Sequence, residues 1–191
     1  MSTNFADATA DELAFAPEGS CGCGFDSTLV GPAEAIASLR SLPRRWRSVL
    51  AFDLDAAEPE ALLAARPTAG AWSALEHAGH VRDVLHALSI RVGRVLREDQ
   101  PVLPETHDTP PSGANEQGPG VVLAGLALTA EQLAECIEAT AATEWHRSGR
   151  RGPDDVRAID LVREAVHEGV HHLQEASRQL EQLRAADAAT T

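Results

Sequence analysis

Lysine is missing altogether: the chain carries 16 basic residues, every one of them arginine, against 29 acidic ones, for a formal net charge of −13. So acidic a chain repels a phosphate backbone unless a local patch overcomes the overall field, which argues against nucleic acid as a partner. The arginine-only basic set, beside abundant alanine, leucine and valine, reads as the codon bias of a GC-rich genome rather than a functional choice. No uncharged apolar run reaches the roughly 18 residues that a membrane span requires. The acidic start MSTNFADATADELAF has neither the basic head nor the apolar core of a signal peptide. A soluble, cytoplasmic protein without a membrane partner is therefore expected. Cysteine is scarce, at Cys21, Cys23 and Cys136. An odd number without an export signal argues against a disulfide framework and for reduced thiols.

What is present suffices for one core: 191 residues, 43% of them hydrophobic. Residues 1–28 lack sustained periodicity and read as a flexible extension containing the Cys-Gly-Cys-Gly segment. Residues 29–185 read as a helical domain, and 186–191 as a small-residue tail. From Pro32 the segment PAEAIASLRSLPRRWRSVLAF predicts a first helix, with Pro43 marking a break or a fresh start. A short helical piece, EPEALLAAR, follows. Ser73 with Glu76 three residues on has the form of a capping box and predicts the start of a long helix ending near Arg97 to Asp99. Its apolar positions Ala78, Val81, Leu85, Leu88, Val92 and Val95 recur at spacings of three and four, one stripe facing a core.

Residues 100–120 hold five prolines and three glycines and read as a long crossover loop. Helix resumes near Val121, is closed by SGRRGPDD, and is followed by a last helix with the cleanest pattern: Ile159, Val162, Val166, Gly169, Leu173, Ala176, Leu180 and Leu183. Nothing reads as a strand. The expected fold is all-α, a four-helix bundle with its long crossover between the second and third helices.

His167 and His171 lie one turn apart on the last helix and can share a metal ion. They sit about 100° from the line of Val166 and Val170 at 100° per residue, at the edge of the stripe. His80, beside Val81 and one turn before Val84, is also at a stripe edge, and His77 is rotated roughly 60° from it. Bundle metal sites are assembled from inward side chains on facing helices, and three imidazoles with an open position make a catalytic ligand set. His80, His167 and His171 are thus the expected ligands. His77, His86, His107 and His146 are assigned to the surface, and His172 to a neighbouring position.

The segments WSALEHAGHVRD (Trp72 to Asp83) and HEGVHHLQ (His167 to Gln174) resemble the two signature helices of the DinB-like superfamily of metal-binding four-helix proteins. Asn115-Glu116-Gln117 is similar to an element found in one branch of it. The resemblance spans about residues 30–184 and places the family's metal histidines on His80, His167 and His171. His167-Glu168-Gly169-Val170-His171 also fits the HExxH pattern of zinc peptidases, with Glu168 as base. Those enzymes take a third ligand from beyond the motif and hold substrate along an edge strand, and neither feature is expected here.

Around the ligands, Glu76 and Asp83 flank His80 by one turn and can orient its ring, or else face solvent and arginines such as Arg82. Gln174 and Glu168 are the candidates for a catalytic role. Asn115, Glu116, Gln117 and Trp72 are candidates for contacting substrate, although Trp72 also suits simple packing at the helix entrance. Cys21 and Cys23 invite a metal or redox reading, but a second cysteine pair is missing and a structural role is expected. Cys136 should be a small buried apolar group.

The resemblance implies a divalent metal, zinc by abundance with nickel as another candidate, and a small-molecule substrate. Its members include thiol S-transferases using mycothiol or bacillithiol and a maleylpyruvate isomerase. A mycothiol-type S-transferase is the leading expectation. Metal-hydroxide hydrolase or lyase chemistry and a non-catalytic metal-binding stress-response module are the alternatives. Pairing into a homodimer through helix faces is common in such bundles.

Overall fold

A computed structural model describes residues 21–51, 59–105 and 113–189. In chain order the elements are α1 (Pro32–Ala51), α2 (Pro59–Ala64), α3 (Ala74–Arg97), β1 (Val102–Leu103), α4 (Ala114–Glu138), β2 (Ser148–Arg151), β3 (Asp154–Arg157) and α5 (Ala158–Ala188). Both α1 and α3 pack against α4 and α5, so α1 and α3 lie across a diagonal of the bundle. The stripe on α3 is wholly buried, and so is that on α5 as far as Leu180. These stripes meet Leu39, Leu42, Trp46 and Leu50 of α1 and Val122, Leu126, Leu133 and Ile137 of α4. By length and composition alone α4 could cross a membrane, but its apolar face is spent on α1 and α3.

Ser73 forms the expected capping box: its hydroxyl accepts from Glu76 N at 3.1 Å, and Glu76 Oε2 accepts from Ser73 N at 2.7 Å. The helix it starts ends at Arg97, within the expected limits. In α1, by contrast, Pro43 neither breaks nor restarts the helix. The ring only removes one backbone donor, and the burial of Leu39, Leu42, Trp46 and Leu50 along one face holds the helix through it.

The crossover is shorter than expected because helical structure begins at Ala114, kinks at Gly118 (φ 75°), and continues with Pro119 in a first-turn position where its missing N–H costs nothing. Residues 106–112 of that crossover, with His107, lie outside the described residues. So do residues 1–20 of the extension, whereas residues 21–29 lie along α5.

A small sheet is the main departure from the all-helical reading. It has the order β1-β2-β3, with β1 parallel and β3 antiparallel to β2. Gly152 (φ 57°) and Pro153 form the two-residue turn between β2 and β3, and a glycine in the first central position is what such a hairpin demands. The strands were illegible because only Gly149 of β2 and Val156 of β3 turn inward, leaving no apolar alternation to read.

Gly149 is where this sheet joins the bundle: a Cβ there would lie 2.8 Å from the carbonyl oxygen of Pro101 and 3.2 Å from Val95 Cγ2. Gly149→Ala is therefore expected to lower stability by roughly 1–3 kcal/mol. Urea denaturation checks this, and an unchanged midpoint contradicts it.

Candidate metal centre

The first turns of α3 are held by more than their cap. Glu76 also receives Arg66, through Nε at 2.9 Å and through Nη2, so the strand of chain before α3 is tied to its first turn. Everything from Ser73 to Val81 is buried. This fixes His77 and His80 against the middle of α5, where Glu168 and His172 lie one turn apart.

His80, Glu168 and His172 bring one ligand atom each to within 4.8 Å of one another. Glu168 Oε2 lies 3.4 Å from His80 Nε2 and 3.2 Å from His172 Nε2, so one carboxylate oxygen faces two ring nitrogens from two helices. Trp72 forms a wall: its ring stacks on His172 at 5.5 Å with an interplanar angle of 1°, and meets His80 edge-on at 5.0 Å. His77 lies behind His172, Nδ1 to Nδ1 at 2.9 Å.

Burial opposes the charge on Glu168, but hydrogen bonds from His172 and His80 outweigh it and hold the carboxyl well below its usual range. Burial, reinforced by the neighbouring His172, presses His77 down to about 3, so this ring is neutral at any physiological pH. The short contact between His77 and His172 needs one proton between two nitrogens. When His172 Nε2 offers its lone pair to a cation, its Nδ1 must carry that proton and donate it to His77 Nδ1. Two imidazoles and one ionised carboxylate are a donor set that suits a divalent cation and leaves a fourth position open.

The expected triad does not assemble as one group. Among the described residues, His167 and His171 converge with Cys21 and Cys23, also within 4.8 Å, while His80 converges with Glu168 and His172. Glu168, expected as a base, and His172, expected as a neighbour, thus share a group with His80. His77, expected at the surface, is buried, whereas His86 and His146 are exposed.

Glu76 does not orient His80, because its carboxylate is taken by Ser73 and Arg66. Asp83 is exposed and paired with Arg82 at 2.7 Å. Gln174 is exposed and donates to the carbonyl of Cys23 at 3.2 Å, away from the His80 group. Asn115 accepts from the Ser73 hydroxyl at 2.7 Å and Gln117 accepts from Arg82 at 2.6 Å, so both tie α4 to α3, and Glu116 faces solvent. Trp72 alone of the four substrate candidates touches the metal centre. Cys136 is half-buried against the core.

A histidine depressed in the folded state gives stability that is complete above its unfolded pKa, near 6.5, and is lost as pH falls toward the folded value of about 3. For metal-free protein, His77 then accounts for a loss of roughly 1.4 kcal/mol between about pH 7.5 and 5.5, equivalent to a few degrees in Tm. His167 and His171, depressed in the same direction chiefly by burial, steepen it. Melting curves over this range should show a shallower decline for His77→Leu than for the unsubstituted protein. Parallel declines contradict the assignment.

Comparison with known proteins agrees with this architecture. No curated protein matches the chain. Among solved structures, YfiT from Bacillus subtilis, described as a probable metal-dependent hydrolase with an unusual four-helix bundle topology, superposes with a TM-score of 0.65 at 16% identity, covering 78% of this chain and 87% of its own. The DinB superfamily matches residues 42–176, which take in α3, α4 and both members of the Glu168–His172 pair. With the family model matched over residues 42–176, most of its length, the chain belongs to the DinB superfamily.

Proposed function

We propose that the protein is a metal-dependent transferase that joins a low-molecular-weight thiol, of the mycothiol or bacillithiol kind, to a small electrophile at the centre formed by His80, Glu168 and His172. The carrying observation is that the only carboxylate in this donor set already faces both imidazoles. Three donors with an open fourth position are a catalytic arrangement, whereas a purely structural ion is closed by four. Such an ion supplies Lewis acidity, enough to ionise a thiol at neutral pH.

The protein's own groups favour a thiol over water. Turned to two rings, Glu168 is not free to act as a general base. A thiol, with a pKa of about 8.5, loses its proton without one, whereas hydrolysis also needs a proton delivered to the leaving group. Trp72 screens one side of the centre from solvent. The His77–His172 contact keeps the His172 ring in one tautomer and one orientation.

The description of YfiT favours a second reading, hydrolysis without a thiol.

Metal-loaded protein incubated with a chlorobimane and either thiol separates the two. Thiol-dependent conjugation is expected, reduced at least about a hundredfold by His80→Ala and by Glu168→Gln, with His77→Leu weakening metal affinity by roughly 10–100-fold. Turnover of simple esters that needs no thiol, with no conjugation, overturns the proposal in favour of the hydrolase.

A further inference from the structure

Cys21, Cys23, His167 and His171 are not among the three donors of the centre described above, yet they form a second group of soft and borderline ligands among the described residues. One atom from each lies within 4.8 Å of the other three. Cys21 Sγ is 3.1 Å from His171 Nδ1, and His167 Nε2 is buried with no hydrogen-bond partner.

Local structure explains how the four meet. His167 and His171 are one helical turn apart on α5 and project from one face. Cys21 and Cys23 are brought to it by a tight turn in which Gly24 N donates to Cys21 O at 3.1 Å, with Gly24 at φ 73° where a side chain would be strained. Three contacts fasten this segment along α5: Gln174 Nε2 to Cys23 O at 3.2 Å, Arg163 Nε to Val30 O at 3.0 Å, and the Phe25 ring on His167 at 5.2 Å.

We propose that Cys21, Cys23, His167 and His171 form a second, structural metal site of the zinc type that clamps the segment before α1 onto α5. Two thiolates and two imidazoles satisfy a tetrahedral ion completely and leave no position for substrate, in contrast to the three-donor centre beside it. The ion replaces thiol protons, which are released on binding, and the binding free energy appears as stability of the docked segment. Because Glu168 and His172 each follow a member of this site by one residue, the clamp also fixes the rotation of α5 that presents them to His80.

The experiment uses the full chain, purified under reducing conditions and reconstituted with cobalt(II). Two metal equivalents are expected, with a near-ultraviolet thiolate-to-cobalt charge-transfer band that survives His80→Ala. The double variant Cys21→Ser, Cys23→Ser should lose the band and one equivalent and keep the other. A single equivalent with no charge-transfer band in the unsubstituted protein overturns the proposal, as does a band lost on His80→Ala but kept in the cysteine variant. The spectrum of the unsubstituted protein decides even if the variant fails to fold. Loss of transferase activity plays no part in the readout, so this site and the proposed reaction fail separately.

Discussion

The carboxylate of Glu168 is the charge around which the rest of the site is organised. An ionised acid taken out of water is costly unless it is matched by donors, and here the match at Oε2 comes from two helices at once, His80 on α3 and His172 on its own α5. That requirement fixes the registers of α3 and α5 relative to each other. It also explains why the start of α3 is over-determined: Ser73, Glu76 and Arg66 secure the first turn, and a slip there would carry His77 and His80 away together.

The bundle was readable from the sequence because helical stripes are long and redundant. Six positions on α3 and eight on α5 agree on one direction each, and a single exception elsewhere, such as Pro43 in α1, does not overturn the bundle. The sheet was not readable because it rests on Gly149, Val156 and a Gly-Pro turn, too few inward residues to form a period. Its stability comes from docking on Pro101 and Val95, a tertiary contact that no local pattern encodes.

The candidate site was only partly legible: the expected ligand set and the two groups that the structure forms differ, and the difference has a geometric cause. Against the line of Val166 and Val170 the pair His167 and His171 lies at a stripe edge, but Val170 is not on the stripe. Measured from the centre of all eight stripe positions at about 100° per residue, His172 is about 80° away and Glu168 about 120°, while His171 is about 180° away. The same measure puts His77 about 50° from the centre of the α3 stripe, inside the buried sector, and His80 about 110° away, at its edge. Burial follows that order: His77 and His172 are buried, whereas His167 and His171 are half-exposed. The signature segments hold residues of both groups, and only the rotation of each residue within a turn decides which face it serves.

That rotation is what allows one helix to carry two candidate ligand pairs. In His167-Glu168-Gly169-Val170-His171-His172 the pairs at 167/171 and 168/172 each span one turn and so point along parallel lines, but the pairs differ from each other by about 100°. A shared ion would need both pairs on one face, which an α-helix forbids. The pair nearer the stripe faces α3 and a largely buried wall of Trp72, His77 and His80. The outer pair faces solvent and is instead covered by a short strap of chain bearing two thiols. Gly169, between the pairs, lets α5 approach α1 so closely that a Cβ would meet Leu42 at 2.8 Å. The interval that separates the two ligand pairs thus also seats α5 against α1, so packing and metal geometry constrain the same turn of helix.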